Sequence, residues 1–408
     1  MTNDETTRRD APSRRDYLTY AGALAAGGLL SGCSGGGGTD ETTATSTATQ
    51  SSETSTTAGD SYSVAMSPAG AVEFEAVPQN VLAGSTNYLD ITAALGHGDA
   101  AKSTSRPSTS TPSLKYYYQA LGVSTDWLDD LKRAGSYKKE TLYELDSDVH
   151  FVDPAYLDTL DGWSQPDIDE VAENVGPFFG NMYSRKHRDP PEAYSDSYQY
   201  YTLWEMTEKY AEVFQEQARF DELNALRTDL LDHIESNLPS KAERPTAAMV
   251  YPRLKKDSFY VQTFNHKGYF YAHTRPMGAA DVFADVQRGE YGGKLVDYEA
   301  MLDRDPDVIL MNHGISSYYD VPETKHAIRD DSVGSQLSAV QNDRLYASGN
   351  PRQGPIMHLF QLEMTAKQLY PDVFGAWPGY DGDTYPEFPE SERLFDRQRV
   401  ADIINGDI

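Results

Sequence analysis

The pattern Glu-x-[Leu/Met]-x-x-x-Asp-x-Asp-Val occurs twice in this chain, and each time it runs into a short apolar stretch. The first copy spans Glu140 to Val149 and leads into His150-Phe151-Val152. The second begins 159 residues later (140 to 299), spans Glu299 to Val308 and leads into Ile309-Leu310-Met311. A short helix opening near the glutamate, a turn carrying aspartate and then a buried strand is the local structure such a pattern predicts. Two copies so far apart imply two similar units rather than one enlarged one.

The surrounding chain agrees with a duplicated α/β unit. Val81–Gly84 reads as a strand, Tyr88–Leu95 as a helix stopped by Gly96-His97-Gly98, Trp127–Lys132 as a short helix and Val149–Val152 as a strand. Then Tyr201–Leu238 runs without Gly or Pro as the longest helical pattern, and Pro239 ends it. Its second part, about Arg219–Leu238, would extend about 30 Å at 1.5 Å per residue. Beyond it the alternation restarts with Ala247–Tyr251, Tyr269–Ala272, a helix from Gly278, Val308–Met311, Arg344–Ala347 and a helix from His358 to Leu369. Strands alternating with helices predict parallel sheets with right-handed crossovers. The expected architecture is therefore α/β, with two Rossmann-like lobes joined by one long helix and a cleft between them. The expected boundaries are 61–217 for the first lobe, 218–240 for the connecting helix, 241–376 for the second lobe and 377–408 for a tail.

Residues 1–60 read as an address and a stalk. Arg14-Arg15 precede the uncharged run Leu18–Leu30, too short to span roughly 30 Å of hydrocarbon as a helix, so it reads as a signal segment. The paired arginines resemble a twin-arginine export signal. Leu30-Ser31-Gly32-Cys33 matches a lipoprotein box, which makes the only cysteine of the chain the expected lipid attachment site and 1–32 the removed segment. In residues 33–60, four glycines and then 13 Ser/Thr among Thr39–Thr57 predict a flexible stalk. One cysteine also excludes a disulfide framework and any multi-cysteine metal site.

Charge narrows the function classes. The chain has 63 acidic and 35 basic side chains, a net charge of −28, and only 14 of the cations are lysine. Nucleic acid is disfavoured as a partner, because its phosphates would be repelled. Excess carboxylate with scarce lysine reads as a halophilic protein, whose self-repulsion is screened where the Debye length falls to about 3 Å. No His-Glu-x-x-His, Gly-x-Ser-x-Gly or phosphate loop is present, and the nine histidines are scattered. The expectation is a protein that is not an enzyme and has no intrinsic cofactor or resident metal.

Several segments resemble the substrate-binding lipoproteins of ABC importers for ferric siderophores, vitamin B12 and haem. Pro78-Gln79-Asn80-Val81, Leu89-Asp90 and Ala94-Leu95-Gly96-His97-Gly98-Asp99 are similar to that family's opening strand and helix. Glu299–Leu310, Leu337–Tyr346 and Leu369–Phe374 are similar to its second-lobe and closing segments. Ser147 departs from the proline usual there, and 185–200 and the tail after Trp377 have no counterpart. The resemblance implies a monomeric, lipid-anchored receptor on the outer face of the cell membrane. It would hand a ferric siderophore or cobalamin to an ABC permease dimer with a cytoplasmic ATPase. It also implies that Glu140 and Glu299, one per lobe, dock onto the two permease subunits. A surface adhesion protein with the same two lobes, or a haem receptor, is the alternative.

Loops that follow the expected strands supply the ligand candidates. Asn181–Arg188 is the densest cationic run in an acidic chain, with Tyr183, Arg185 and Arg188 as candidates. In the second lobe Arg253, His313 and Arg352 leave strands. Planar arginine donors suit carboxylate, phosphate or hydroxamate oxygens, and tyrosines suit a large flat ligand.

Overall fold

A computed structural model describes residues 61–286, 293–312, 314–380, 382 and 384–407. The expected signal segment, the stalk with Cys33, and His313 lie outside the described residues.

The chain begins with a two-stranded antiparallel hairpin, β1 (Tyr62–Met66) and β2 (Gly70–Phe74). A four-stranded sheet follows, built from β3 (Val81–Ala83), β4 (Ala101–Thr104), β5 (Lys132–Arg133) and β6 (Val149–Phe151). Its order is β5-β4-β3-β6 and every pairing is parallel. All residues of β3 and β6 are buried, as a sheet covered on both faces requires. Helices α1 (Thr86–Ala94), α2 (Pro107–Ala120) and α3 (Lys139–Leu145) connect these strands.

The long helical pattern divides in two. Helix α4 (Leu203–Phe214) starts at a Thr202–Glu205 capping box and ends where Gln215 takes a left-handed conformation, φ 56°. Helix α5 (Gln217–Asn237) is the 21-residue strut.

The second sheet has the order β10-β8-β7-β11-β12, from β7 (Thr246–Arg253), β8 (Ser258–Gln262), β10 (Gly293–Asp297), β11 (Val308–Met311) and β12 (Leu345–Ala347). The short β9 (Ala280–Asp281) pairs with the start of β7. Here the expectation of parallel sheets needs correction. β7–β11–β12 is parallel, but β8 and β10 add antiparallel strands on one side. Asp257, at φ 44°, turns the chain back after Arg253 and makes that hairpin. Two further expectations fail locally: Tyr269–Tyr271 is a 3-10 turn rather than a strand, and Gly278 closes a turn rather than opening a helix.

The repeat is visible atom by atom. Helix α3 and helix α6 (Tyr298–Arg304) have seven residues each, with Glu140 and Glu299 second in each and exposed. Leu142 and Met301 are fully buried, and their carbonyls accept the N–H of Asp146 (3.1 Å) and Asp305 (3.0 Å). Those two aspartates are left-handed, at φ 48° and 35°, closing both helices the same way. Asp148 Oδ2 then accepts from the backbone N–H of Gln79 and Asn80 at 2.7 and 2.8 Å, just before β3. Asp307 Oδ2 accepts from the N–H and hydroxyl of Thr246, both at 2.8 Å, at the start of β7. In each lobe the second aspartate staples an incoming strand to its central neighbour.

The described residues belong to one contact unit, Ala58–Ile408. Helix α7 (Pro355–Leu369) lies at its centre with all fifteen residues buried, against α1, α2, α4 and α5. The tail packs on both lobes. Tyr385 stands between Tyr117 of α2 (5.6 Å) and Phe360 of α7 (4.7 Å). Arg397 makes a buried ion pair with Glu363 at 2.8 Å, and α8 (Arg397–Asn405) lies on α5.

Candidate functional site

A cavity of ≈ 630 Å³ opens at the C-terminal ends of β3, β4, β5 and β6. The loops after these strands form its floor, and Tyr269 and Arg352 reach it from the other lobe. The floor needs Gly84, since a Cβ there would meet Phe151 O at 2.7 Å. The Tyr137 hydroxyl donates to Gly84 O at 2.6 Å and fixes the same turn. The Asn87 side-chain amide reaches across to Tyr269 Oη at 3.4 Å, joining the two walls.

Five cations line the cavity: Arg106, Arg133, Lys138, Arg185 and Arg352. Among the described residues none has a carboxylate within ion-pair distance. The one acid in the lining, Asp153, is turned to the protein. It accepts from Ala155 N–H at 2.8 Å, Met182 N–H at 2.7 Å and the Tyr198 hydroxyl at 2.6 Å. Burial raises its pKa to about 6 against the pull of those bonds. Asp153 thus anchors the segment that carries Arg185. Arg352 is exposed to the solvent in the cavity but enclosed by protein on most sides. That enclosure, with the charges of Arg185 and Arg106, lowers its pKa to about 10. Arg185 and Arg106 thus repel Arg352 across a tyrosine-walled hollow. The arrangement suits an anion with acceptor oxygens and flat apolar faces.

A second, more open cavity of ≈ 460 Å³ lies in the second lobe, between the end of β7 and residues 318–324. Tyr251, Arg253, Lys255, Lys256 and Tyr319 are among its walls. Tyr319, in its wall, lies within electrostatic reach of Arg352 in the first cavity.

Of the residues expected from sequence, the structure brings Arg185 and Arg352 together in the first cavity and puts Arg253 in the second. Tyr183 and Arg188 are not in either wall. In the one-turn helix Tyr183–Lys186, positions two apart do not share a face. Tyr183 packs edge-on against Tyr198, with the Arg188 guanidinium 5.1 Å over its ring. Arg106, Arg133 and Lys138 escaped sequence reasoning because β4 and β5 contain no apolar run to announce a strand. The recurrence of a cation soon after each short polar segment was the available signal.

The sequence model of the periplasmic binding protein family matches residues 81–351. The chain belongs to that family. Its members are solute-binding proteins, transport components rather than enzymes. No curated protein matches. Solved structures with this fold include a periplasmic binding protein from Veillonella parvula, 16% identical, covering 76% of this chain and 99% of its own, at TM-score 0.53. The iron-uptake substrate-binding protein PiuA of Streptococcus pneumoniae is 15% identical, covering 74% and 97%, at TM-score 0.53. CeuE of Helicobacter pylori with Ni(II) bound is 14% identical, covering 77% and 90%, at TM-score 0.51. At such identities the likeness carries the fold alone, two lobes with helices on their sheets. Among the described residues of this binding protein, no helix is long and apolar enough to cross a membrane.

Proposed function

We propose that this binding protein captures an anionic metal chelate, a ferric siderophore, outside the cell and delivers it to an ABC import permease. The observation that carries the reading is the cavity lined by five cations in a chain of net charge −28. Cations collected against such a background, and without carboxylate partners among the described residues, offer hydrogen bonds and charge to a ligand's oxygens. A ferric chelate with catecholate or carboxylate arms matches both the charge and the tyrosine walls. Cobalamin, with a single phosphate, uses less of it. In concentrated salt only direct contacts of this kind retain strength, because steering over distance is screened.

The rest of the reading follows the family and the N-terminal sequence. Cys33 would carry the lipid that holds the protein at the membrane's outer face after twin-arginine export. Glu140 and Glu299, exposed at equivalent places in the two repeat copies, would meet the two permease subunits. A thermal-shift screen in high salt against ferric siderophores, cobalamin and haem tests the ligand. A specific ligand at a hundred times its Kd adds about 2.7 kcal/mol of stability. A clear shift with an anionic ferric siderophore and a smaller one with cobalamin is expected. Equal or absent shifts with all three would overturn the assignment.

A further inference from the structure

Asp90, in the middle of α1, is fully buried and is not part of the cavity wall. Its carboxylate crosses to the first turn of α7. Oδ2 accepts from Met357 N–H at 3.0 Å, and the nearby amides of Gly354 and Ile356 favour the charged form of the carboxylate. The Tyr118 hydroxyl donates to Oδ1 at 2.8 Å. Helix α7 has no side-chain cap of its own, so Asp90 serves as its cap from another element. Glycine at 354 makes the approach feasible, since a Cβ there would sit 2.5 Å from Asp90 Cβ and 2.7 Å from Oδ2.

The two ends of this tie both lead to the cavity. Helix α1 begins with Thr86-Asn87-Tyr88, which line the floor, and α7 begins three residues after Arg352. The intervening turn is pinned by Arg352 N–H to Asn350 Oδ1 (2.8 Å) and by the Gln353 side-chain amide to Tyr269 O (2.9 Å). Against these bonds works the repulsion of Arg352 by Arg185 and Arg106. A serine or asparagine at position 354 could cap the helix locally without burying a charge. The cost of burying Asp90, whose pKa rises to about 7, is instead met by a bond through the packed contact of α1 and α7.

We propose that Asp90 is a positioning residue: by tying α1 to the turn before α7 it holds Arg352 at its station opposite Arg106 and Arg185, and so sets the cavity's affinity for anions. The ligand side rests on the reading of the cleft as an anion site. The test is calorimetric titration at fixed salt with two probes, ferri-bacillibactin and plain citrate. Asp90→Asn and Gly354→Ala, which break the same tie by chemistry and by steric conflict, should each weaken both probes about tenfold. Tyr118→Phe, a milder change, should act in the same direction and keeps the test alive if the others fold poorly. In an Arg352→Gln background, Asp90→Asn or Tyr118→Phe should cost less than about twofold further, because residues acting through one another are not additive. Lower melting temperatures with unchanged affinities, or full additivity with Arg352→Gln, would reduce Asp90 to a structural cap and overturn the proposal. Citrate following this pattern while ferri-bacillibactin fails to bind would sink the siderophore reading and leave the tie standing. Failure of wild type to bind either probe would overturn both.

Discussion

Asp148 and Asp307 occupy the same place in the two repeat copies and accept bonds from the strand that enters beside them. Both are exposed, so each bond pair is worth the low end for charged acceptors. Asp148→Ala and Asp307→Ala should each lower stability by about 1.5 kcal/mol in urea melts. Loss from only one of them would mean that the copies are not energetically equivalent. Leu142→Ala and Met301→Ala, one buried side chain per copy, should cost more, roughly 2–5 kcal/mol, through the cavity left behind. At this scale the repeat was legible because its aspartates have backbone duties, one closing the helix in a left-handed turn and the next holding the neighbouring strand. The cavity-lining residues were legible only in part. Arg185 and Arg352 reach the cavity while Tyr183 and Arg188 do not; Tyr183 and Arg185 are parted by their positions in one turn of helix that composition cannot orient.

Among the elements, α7 depends on the tail. Arg397 lies 4.8–5.9 Å from the ring centres of Phe360, Tyr385, Phe388 and Phe395 and pairs with Glu363. Arg397→Ala should destabilise by about 3–5 kcal/mol, since it leaves Glu363 buried and unpaired. Arg397→Met with Glu363→Leu should recover most of that loss in chemical denaturation. A double variant as weak as the single one would argue that the cation–ring contacts, not the unpaired charge, dominate. The elements that sequence reasoning missed share a cause. The α4–α5 break at Gln215 and the β7–β8 turn at Asp257 use left-handed non-glycine residues, which leave no glycine to read. With the turn unseen, β8 and β10 went unplaced, and a parallel sheet was expected where a mixed one stands.

For the whole molecule, buried acids and buried histidines oppose each other as pH falls. Burial lowers His273 to about 3, His150 to about 4 and His358 well below its usual 6.5. The unfolded chain takes up those protons first, so these groups withdraw stability as pH drops below about 6.5. Burial raises Asp90 to about 7 and Asp153 and Asp281 to about 6. There the folded state binds protons first, so stability grows as pH falls from about 7 towards 4. In molar salt the melting temperature should stay nearly level between about pH 4.5 and 6 and drop steeply below about 4. A steady decline from pH 7 downward would contradict this balance, and His273→Gln should soften the drop. Glu140→Ala and Glu299→Ala should each leave chelate affinity unchanged and weaken ligand-stimulated uptake, and together nearly abolish it. Normal uptake by the double variant at wild-type expression would remove the docking role.

The alternation of strands and helices, the repeat and the long uninterrupted helical pattern were enough to specify two α/β lobes on a strut. Each is a local signal, carried by periodicity and turn residues within a few positions of one another. The order of strands in the second sheet, the tail laid across both lobes and the five cations around one hollow depend on contacts between residues up to hundreds of positions apart. No local pattern records such contacts. Asp90 and Met357, 267 residues apart, meet only because two lobes fold against a shared helix.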